Sequence, residues 1–244
     1  MNYFLKRLFD IFVALCVLII FLPVWLVIIV LLKITGEGHV FYYQKRIGFK
    51  NKYFNIIKFA TMLADSPNMG TGVITLRNDP RVTIVGKYLR SSKLNEFPQI
   101  LNVLKGDMSI VGPRPLVDRT FNAYPEDMRN KVYASKPGIT GIGSIVFRDE
   151  EEMISNATIP PHEFYKFSIA PYKGALELWY NNNKSFKMDM WIVFLTFWAI
   201  LNSKSKLVYK VFKDIPSHQD YILNFERSTK NNSLDNNISN FLNN

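Results

Sequence analysis

The sequence predicts an α/β protein that is mostly helical and holds one helix in a membrane near its N-terminus. Residues 11–32 form an apolar run of 22 residues without a charge. Residues 37–60 mix aromatic, β-branched and basic residues in short stretches that are typical of strands. Later segments repeat apolar residues at three- and four-residue spacing, which indicates helices packed on a core. A chain of 244 residues has room for one domain with appendages.

The apolar run at residues 11–32 is long enough to cross a bilayer as a helix. It is too long for a cleaved signal peptide, and no small-residue cleavage site follows it. Pro23 predicts a kink, because proline removes a helix hydrogen bond and clashes with the preceding turn. Basic residues flank both ends, with Lys6 and Arg7 before the run and Lys33 after it. A spanning helix usually has them on the cytoplasmic side only, so a spanning and a re-entrant helix both stay open.

Lysine and arginine total 30 against 20 acidic residues, which gives a formal net charge of +10. This excess suits nucleic acid, an anionic membrane surface or phosphorylated substrates, and it does not choose among them. The sequence has neither a basic recognition helix nor an aromatic-interleaved motif, so nucleic acid is not a predicted partner. The single cysteine, Cys16, lies within the apolar run, which excludes a disulfide framework and a cysteine metal site.

The predicted strands at 37–60 carry a dense group of cations. Its members are Lys45, Arg46, Lys50, Lys52 and Lys58. They form a solvated face or contact lipid headgroups, or some of them hold phosphate. Residues 65–82 follow as a predicted loop, because they are rich in Ser, Pro, Asn and Gly.

The next predicted element is a helix that begins with two polar residues. Apolar residues recur at helical spacing at Leu94, Phe97, Leu101 and Leu104. Pro98 is tolerated only in the first turn of a helix, which predicts an N-cap near Asn95. Asn95 and Glu96 should therefore lie at the mouth of the helix, where free N–H groups and the positive end of the helix dipole favour anions.

A rigid turn is predicted at residues 112–115. Gly112 permits unusual dihedral angles, and Pro113 and Pro115 stiffen the backbone on either side of Arg114. The turn holds a guanidinium in a fixed position, and guanidinium geometry matches phosphate well.

The remaining third of the chain predicts helices and a polar tail. The acids at 149–152 are typical of a solvated helix start more than of a metal site, and an amphipathic helix is predicted around 172–180. The apolar segment 188–201 is too short to span a bilayer. It is either a core helix or an interfacial one, and the basic residues after it favour the interface. The Asn-rich sequence from 217 onward is predicted to be disordered.

Several strings together resemble one family, the bacterial sugar transferases, also called monotopic phosphoglycosyl transferases. They are KRLFD, YQKRIG, KFATM, DPRVT with GKYLR, LNEFPQILNVLKGDMSIVGPRP, KPGITG and SFKMDM with FLTF. The long central string is very specific, and the resemblance covers roughly residues 6–201.

The resemblance implies transfer of a sugar-1-phosphate from a UDP-sugar to undecaprenyl (polyprenol) phosphate, with UMP leaving. The lipid-linked product would feed downstream glycosyltransferases that build a polysaccharide or another glycan. The family uses Mg²⁺ and an Asp-Glu pair whose Asp forms a covalent phosphosugar intermediate. The resemblance also implies a catalytic body on the cytoplasmic face of the bacterial inner membrane, in contact with the bilayer.

Site roles follow from the resemblance position by position. Glu96 matches the second acid of the pair and would coordinate Mg²⁺. The matching cations that would bind phosphate are Lys58, Arg90 and Arg114, and Arg148 would lie at the nucleotide or the sugar. Asp189 matches an acidic substrate-binding position, and it also fits the ordinary role of an acid in the first turn of a helix.

One departure from the family pattern affects the chemistry. The first position of the acid pair is Asn95, whose amide has no charge and is a poor nucleophile. Three outcomes stay open: Glu96 becomes the nucleophile, the polyprenol phosphate attacks the donor directly, or the protein is a non-catalytic membrane module. We expect activity, because the phosphate-binding set is otherwise present. A second departure is Ala60, where many relatives carry Arg.

The resemblance also decides between the two membrane arrangements. It implies that residues 1–35 form a re-entrant anchor bent at Pro23, with both ends facing the cytoplasm. Residues 36–213 would then form a small cytoplasmic catalytic body with interfacial amphipathic helices, including 188–201. Residues 214–244 would form the Asn-rich tail.

Overall fold

The computed structural model describes residues 3–35, 37–69, 79–202 and 205–217. Its strands are β1 (Phe41–Ile47), β2 (Tyr53–Phe59), β3 (Ser109–Val111) and β4 (Gly138–Thr140). Its helices are α1 (Tyr3–Thr35), α2 (Ile84–Ser91), α3 (Gln99–Lys105), α4 (Asp118–Phe121), α5 (Glu126–Val132), α6 (Ile142–Val146), α7 (Glu150–Ser155), α8 (Pro161–Phe164), α9 (Ala170–Asn183), α10 (Phe186–Leu201) and α11 (Leu207–Val211). The prediction of a mostly helical α/β protein is confirmed. Of the predicted tail, residues 218–244 lie outside this description, as do residues 70–78 of the predicted loop.

Helix α1 contains the whole apolar run, and Pro23 lies inside it without ending it. Within the described part of the chain it is the one helix long and apolar enough to cross a membrane. It buries a narrow stripe against the rest of the protein, made of Lys6, Asp10, Ala14, Trp25, Ile28 and Leu32. The stripe includes residues from both sides of Pro23, so both halves of the helix lie along the body.

A buried ionic network attaches the start of α1 to the body. The Lys6 ammonium lies 2.9 Å from a carboxylate oxygen of Asp10 and 2.9 Å from one of Asp189. Asp10 also accepts hydrogen bonds from the Ser109 hydroxyl and the Ile110 backbone N–H, each at 3.1 Å. The first turns of α1 are therefore fixed to β3 and to the start of α10.

Arg7 makes a second attachment, at the end of α3. Its guanidinium donates to the carbonyl oxygens of Val103 and Leu104 at 2.6 and 2.8 Å. These carbonyls belong to the last turn of α3, where the Val103 oxygen also accepts from the Gly106 N–H and the helix dipole favours a cation.

Strands β1 and β2 form an antiparallel hairpin, with Phe41 opposite Phe59 and Ile47 opposite Tyr53. Its turn uses left-handed backbone at Lys50 and Asn51, with φ of 55° and 58°. Asn102 of α3 ties the helix to the hairpin, because its amide accepts from Ile57 N–H at 3.0 Å and donates to the Asn55 carbonyl at 2.8 Å.

Strands β3 and β4 form a short parallel pair in which Ser109 is opposite Gly138 and Val111 is opposite Thr140. The turn at 112–115 follows β3 directly. A Cβ on Gly112 would collide with the carbonyl oxygen of Lys136, so only glycine allows the two segments to approach this closely. The parallel pair therefore sets where the Arg114 turn begins.

The predicted N-cap near Asn95 is wrong. Asn95 and Glu96 lie in a 3₁₀ turn, Leu94–Glu96, and α3 begins at Gln99 with Pro98 as its N-cap residue. The chain reverses at Lys93, whose φ is 60°, so it enters the 3₁₀ turn before the helix starts. Glu96 is thereby placed one turn ahead of the helix.

Helix α10 confirms the predicted helix at 188–201 and has two different faces. Met188, Asp189, Ile192 and Leu195 are buried against the body. The opposite face exposes large apolar side chains, namely Phe186, Trp191, Phe194, Phe197, Trp198, Ile200 and Leu201. Helix α10 therefore packs on the body with one face and exposes apolar side chains on the other.

Candidate active site

A large open cleft of about 1350 Å³ lies between the hairpin, α2, the 112–115 turn and α7. The predicted site residues that line it are Lys58, Arg90, Asn95, Glu96, Arg114 and Arg148. They come from segments far apart in sequence, and the fold brings six of the seven predicted residues into one cleft.

The carboxylate of Glu96 is held by two cations. Arg114 donates to it from both terminal nitrogens of its guanidinium, with Nη2 2.7 Å from Oε1 and Nη1 3.2 Å from Oε2. Lys58 Nζ lies 2.9 Å from the same Oε1. Burial alone would raise the pKa of Glu96, but Arg114 and Lys58 outweigh burial and hold it well below its usual range. Glu96 is therefore ionised throughout the physiological range.

Burial has the opposite effect on the lysine of this group. It lowers the pKa of Lys58 to about 8, although the Glu96 carboxylate partly opposes the shift. The Lys58 ammonium is thus stabilised mainly by its anionic partner.

Arg46 belongs to the same group and was not among the predicted site residues. Its guanidinium donates to the Pro115 carbonyl at 3.0 Å and to the Gln44 side-chain oxygen at 2.6 Å. Burial and the nearby Arg114 lower the pKa of Arg46 to about 10. Strand alternation places residues 42, 44 and 46 on one face, but the position of Arg46 beside Lys58 depends on the hairpin register, which pairs Tyr42 with Lys58 and which the sequence does not reveal.

The backbone around Arg114 is fixed by a buried tyrosine. The Tyr133 hydroxyl donates to the Arg114 carbonyl at 2.8 Å and accepts from the Leu116 N–H at 2.9 Å. This hydroxyl replaces the regular backbone partners that the proline-flanked turn lacks. The guanidinium is therefore presented from a rigid support, as the sequence predicts.

Asn95 is buried beside Glu96, with 6% of its surface exposed. Its side-chain oxygen has no hydrogen-bond partner among the described residues. A buried amide oxygen without a partner is costly in free energy. A bound ligand that contacts this oxygen would remove that cost.

Helix α7 brings acids to the opposite wall of the cleft. Glu151 lies 3.0 Å from the Arg90 guanidinium, and Glu150 pairs with the ammonium of Lys173. The Arg90 pair is largely exposed and contributes little to stability. The acid run at 149–152 is a helix start, as predicted, but it faces the cleft and restrains two of its cations.

Asp189 lies elsewhere. It is fully buried, and it contacts Lys6 at 2.9 Å and accepts from the Tyr180 hydroxyl at 2.8 Å. It is not among the residues that line the cleft. The geometry fits a structural acid at the start of α10 and not a group that touches substrate.

The described residues contain no cluster of three or more His, Cys, Asp or Glu able to hold a metal ion unaided. Glu96 and Asn95 are instead two adjacent oxygen-bearing side chains. Such a pair is adequate for Mg²⁺, which commonly takes one or two protein oxygens and completes its shell with water and substrate phosphates.

Comparison with known proteins identifies the relatives of the chain. Residues 1–203 match the family model described as bacterial sugar transferase. The chain is 35% identical over 214 residues to exopolysaccharide production protein ExoY of Rhizobium meliloti, a match that covers 82% of this chain and 86% of that protein.

Two longer relatives have more informative names. One is the undecaprenyl-phosphate galactose phosphotransferase of Salmonella typhimurium, 38% identical over 162 residues, with 60% of this chain and 33% of that protein covered. The other is the UDP-N-acetylgalactosamine-undecaprenyl-phosphate N-acetylgalactosaminephosphotransferase of Aeromonas hydrophila. It is 35% identical over 202 residues, with 81% of this chain and 44% of that protein covered.

Proposed function

Because the chain belongs to the bacterial sugar transferase family, we propose that it transfers a sugar-1-phosphate from a UDP-sugar to undecaprenyl phosphate. UMP leaves, and the lipid-linked sugar enters polysaccharide assembly by downstream glycosyltransferases. The observation that carries this proposal is the group of three cations, Lys58, Arg46 and Arg114, around the single carboxylate of Glu96. Its net positive charge suits a diphosphate donor.

The cations have distinct parts in the proposed reaction. The β-phosphorus of the donor is attacked, its bond to the bridging oxygen breaks, and UMP leaves with the electron pair. Charge builds up on that bridging oxygen and on the equatorial oxygens, and Arg114 and Lys58 are placed to stabilise it. Arg114 suits the task because its planar fork can shift from the Glu96 carboxylate to two phosphate oxygens. Arg90 and Arg148, which also line the cleft, would hold the rest of the donor.

Direct attack by the polyprenol phosphate is the route we favour. Asn95 cannot form an acyl phosphate, since its amide is neutral and weakly nucleophilic. Lys58 stays paired with Glu96 when Arg114 shifts to the donor phosphate, and the low pKa of Glu96 makes its carboxylate weakly basic and hence a weak nucleophile. The acceptor phosphate carries its own negative charge and needs no prior activation by a base.

Mg²⁺ fits beside Glu96 and Asn95. When bound, the ion would supply positive charge that offsets the developing charge of UMP. Support comes from the Asn95 side-chain oxygen, which is buried and lacks a partner among the described residues. Asn95 and Glu96 would hold the ion, and both are neutral or anionic oxygen donors of the kind that Mg²⁺ prefers.

The chain associates with a membrane, as a lipid carrier substrate requires. We propose further that α1 is re-entrant and that the cleft faces the cytoplasm, at the bacterial inner membrane. Both halves of α1 lie along the body, which a helix spanning a bilayer perpendicular to a cytoplasmic body would not permit. Apolar side chains remain exposed on α1 and on α10, and lipid would cover them.

An assay of UMP release tests the proposal. Purified protein in detergent is given Mg²⁺, undecaprenyl phosphate and, in turn, UDP-galactose and UDP-N-acetylgalactosamine. We expect UMP release with at least one donor, and we expect Glu96→Gln to lower it by about a hundredfold or more. Turnover that is unchanged in this variant would refute the assignment of Glu96.

The alternative is a non-catalytic membrane module that binds a nucleotide sugar or polyprenol phosphate. Asn95 is the observation that favours it. Donor binding without UMP release in the same preparation would support this alternative. Labelling of a tag at Met1 in intact cells tests the membrane arrangement separately, since a periplasmic N-terminus would contradict a re-entrant helix.

A further inference from the structure

Three polar side chains line the part of the cleft that α7, α9 and the segment before α9 form, and the proposed reaction gives none of them a part. They are Glu150, Tyr165 and Lys173. Tyr165 and Lys173 each have only 2% of their surface exposed, and Glu150 is partly buried. Polar groups that are buried and yet border an open cleft are candidates for contact with a ligand.

Tyr165 is the member of this group that most clearly lacks a partner. It begins a π-helical turn, Tyr165–Ile169, that joins α8 to α9, and such turns are frequent at functional sites. Its buried hydroxyl has no hydrogen-bond partner among the described residues, and the nearby phenol of Tyr124 does not meet hydrogen-bond geometry with it. A buried hydroxyl without a partner is costly in free energy, and a ligand in the cleft would remove that cost.

Lys173 brings a buried ammonium to the same part of the cleft. The ammonium pairs with the Glu150 carboxylate of α7 and lies over the ring of Phe147, 5.7 Å from its centroid. The side chain of Glu150 is 27% exposed, so its carboxylate can accept a further hydrogen bond from a ligand. The group thus combines a cation, a phenol and a carboxylate on fixed supports.

The chemistry of this group fits a sugar better than a nucleobase. Each hydroxyl of a hexose both donates and accepts, so a carboxylate beside an ammonium and a phenol can satisfy several of them. A uracil ring has flat faces that stack on aromatic side chains. The exposed aromatic rings that line the cleft belong to the hairpin and to α2, namely Tyr42, Tyr43 and Tyr88. The two ends of a UDP-sugar therefore meet chemically different parts of the cleft.

We propose that Glu150, Tyr165 and Lys173 form the subsite for the sugar of the donor, and that the Tyr165 hydroxyl selects the sugar by hydrogen bonding to one of its hydroxyl groups. The inference rests on the proposed function, because it concerns the same cleft. A sugar that lacks a hydroxyl at the matching position would leave Tyr165 buried and unpaired. Unpaired buried polar groups discriminate strongly between substrates.

Titration calorimetry of the full chain in detergent tests the subsite, with UDP, UDP-glucose, UDP-galactose and UDP-N-acetylgalactosamine as probes. UDP has no sugar, so it reports on the nucleotide part alone. We expect Tyr165→Phe to weaken binding of the preferred UDP-sugar by about tenfold and to leave the affinity for UDP unchanged. Thermal unfolding should show no loss of stability, because the deleted hydroxyl has no partner. Tyr209→Phe, the same change on an exposed tyrosine of α11, should alter neither affinity.

The outcomes separate this inference from the proposed function. Unchanged affinities in Tyr165→Phe, or a loss that is the same for UDP and for the UDP-sugar, overturn the subsite while donor binding stands. Equal affinity of the natural sequence for the three UDP-sugars also overturns it, and this measurement decides should Tyr165→Phe fail to fold. Failure of UDP and of every UDP-sugar to bind the natural sequence overturns the proposed function, and the subsite with it.

Discussion

Arg114 grips Glu96 with two nitrogens, one bond at 2.7 Å and the other at 3.2 Å, although the two residues lie 18 positions apart. Paired guanidinium–carboxylate bonds have a geometry that a phosphate can imitate. The ion pair therefore keeps the guanidinium aligned until a donor phosphate replaces the carboxylate as its partner. The bond at 2.7 Å is shorter than the 2.9 Å contact that Glu96 makes with Lys58.

Replacing Arg114 by lysine tests the importance of this geometry. Lysine keeps the charge but cannot form two parallel bonds, so we expect kcat/KM for the donor to fall by about tenfold to a hundredfold. UMP release at varied donor concentration measures the effect. Arg119→Lys, the same change on an exposed residue of α4, should leave kcat/KM unaltered. An Arg114→Lys variant with natural kinetics would mean that charge alone suffices.

Replacing Arg46 by glutamine tests the site residue that sequence reasoning missed. The change removes one of three cations around Glu96 and the bond to the Pro115 carbonyl. We expect the KM for the donor to rise by about tenfold, with a smaller effect on kcat, because a phosphate-binding charge is lost. Steady-state kinetics of UMP release measures both constants. A change in kcat alone would place Arg46 in transition-state stabilisation.

Sequence reasoning located most of this site because its cations and acids sit in short, distinctive strings. Lys58, Glu96 and Arg114 were each predicted, and the fold places them within hydrogen-bonding distance. Their mutual contacts could not be predicted, since they depend on the hairpin register and on the parallel pairing of β3 with β4. The N-cap at Asn95 was wrong because local propensity does not reveal a left-handed residue such as Lys93.

The burial of certain polar residues could not be predicted from the sequence alone either. Asp189 matches a family acid, but its partner Lys6 comes from the opposite end of the domain, 183 positions away (189 − 6). Glu177 lies in an amphipathic helix in which an acid normally indicates the solvated face. Only the packing of α9 against α6 shows that it is buried.

Replacing Lys6 by methionine tests the attachment of α1 to the body. The change leaves Asp10 and Asp189 buried without their shared cation, so we expect a loss of about 3 kcal/mol in the free energy of unfolding. Thermal unfolding in detergent measures it. Lys33→Met, on the exposed far end of the same helix, should cost little. Equal stability of the two variants would show that the network does not hold the helix.

The buried carboxylate of Glu177 should make the free energy of unfolding depend on pH. Its pKa of about 7 exceeds the value of 4.5 for an exposed glutamate, so the folded state binds the proton more tightly. The stabilisation is complete below the unfolded value and is lost as the pH rises through about 7. Relative to Glu177→Gln, the natural sequence should therefore lose about 3 kcal/mol between about pH 4 and about pH 8. Denaturant unfolding of both proteins at the two pH values measures this difference, and a constant difference would contradict it.

Replacing Asn95 by aspartate tests which route the cleft supports. The new carboxylate would be buried beside Glu96, within reach of the cations that already hold Glu96 ionised. If the departure at this position alone prevents the covalent route, the variant should form an aspartyl phosphosugar when given a UDP-sugar without acceptor. Intact-protein mass spectrometry would then detect an added sugar phosphate on Asn95→Asp and not on the natural sequence. Asn95→Ala serves as the matched control, because it removes the amide without supplying a nucleophile. An adduct on the natural protein that peptide mapping assigns to Glu96 would instead identify Glu96 as the nucleophile and refute direct attack by the lipid phosphate.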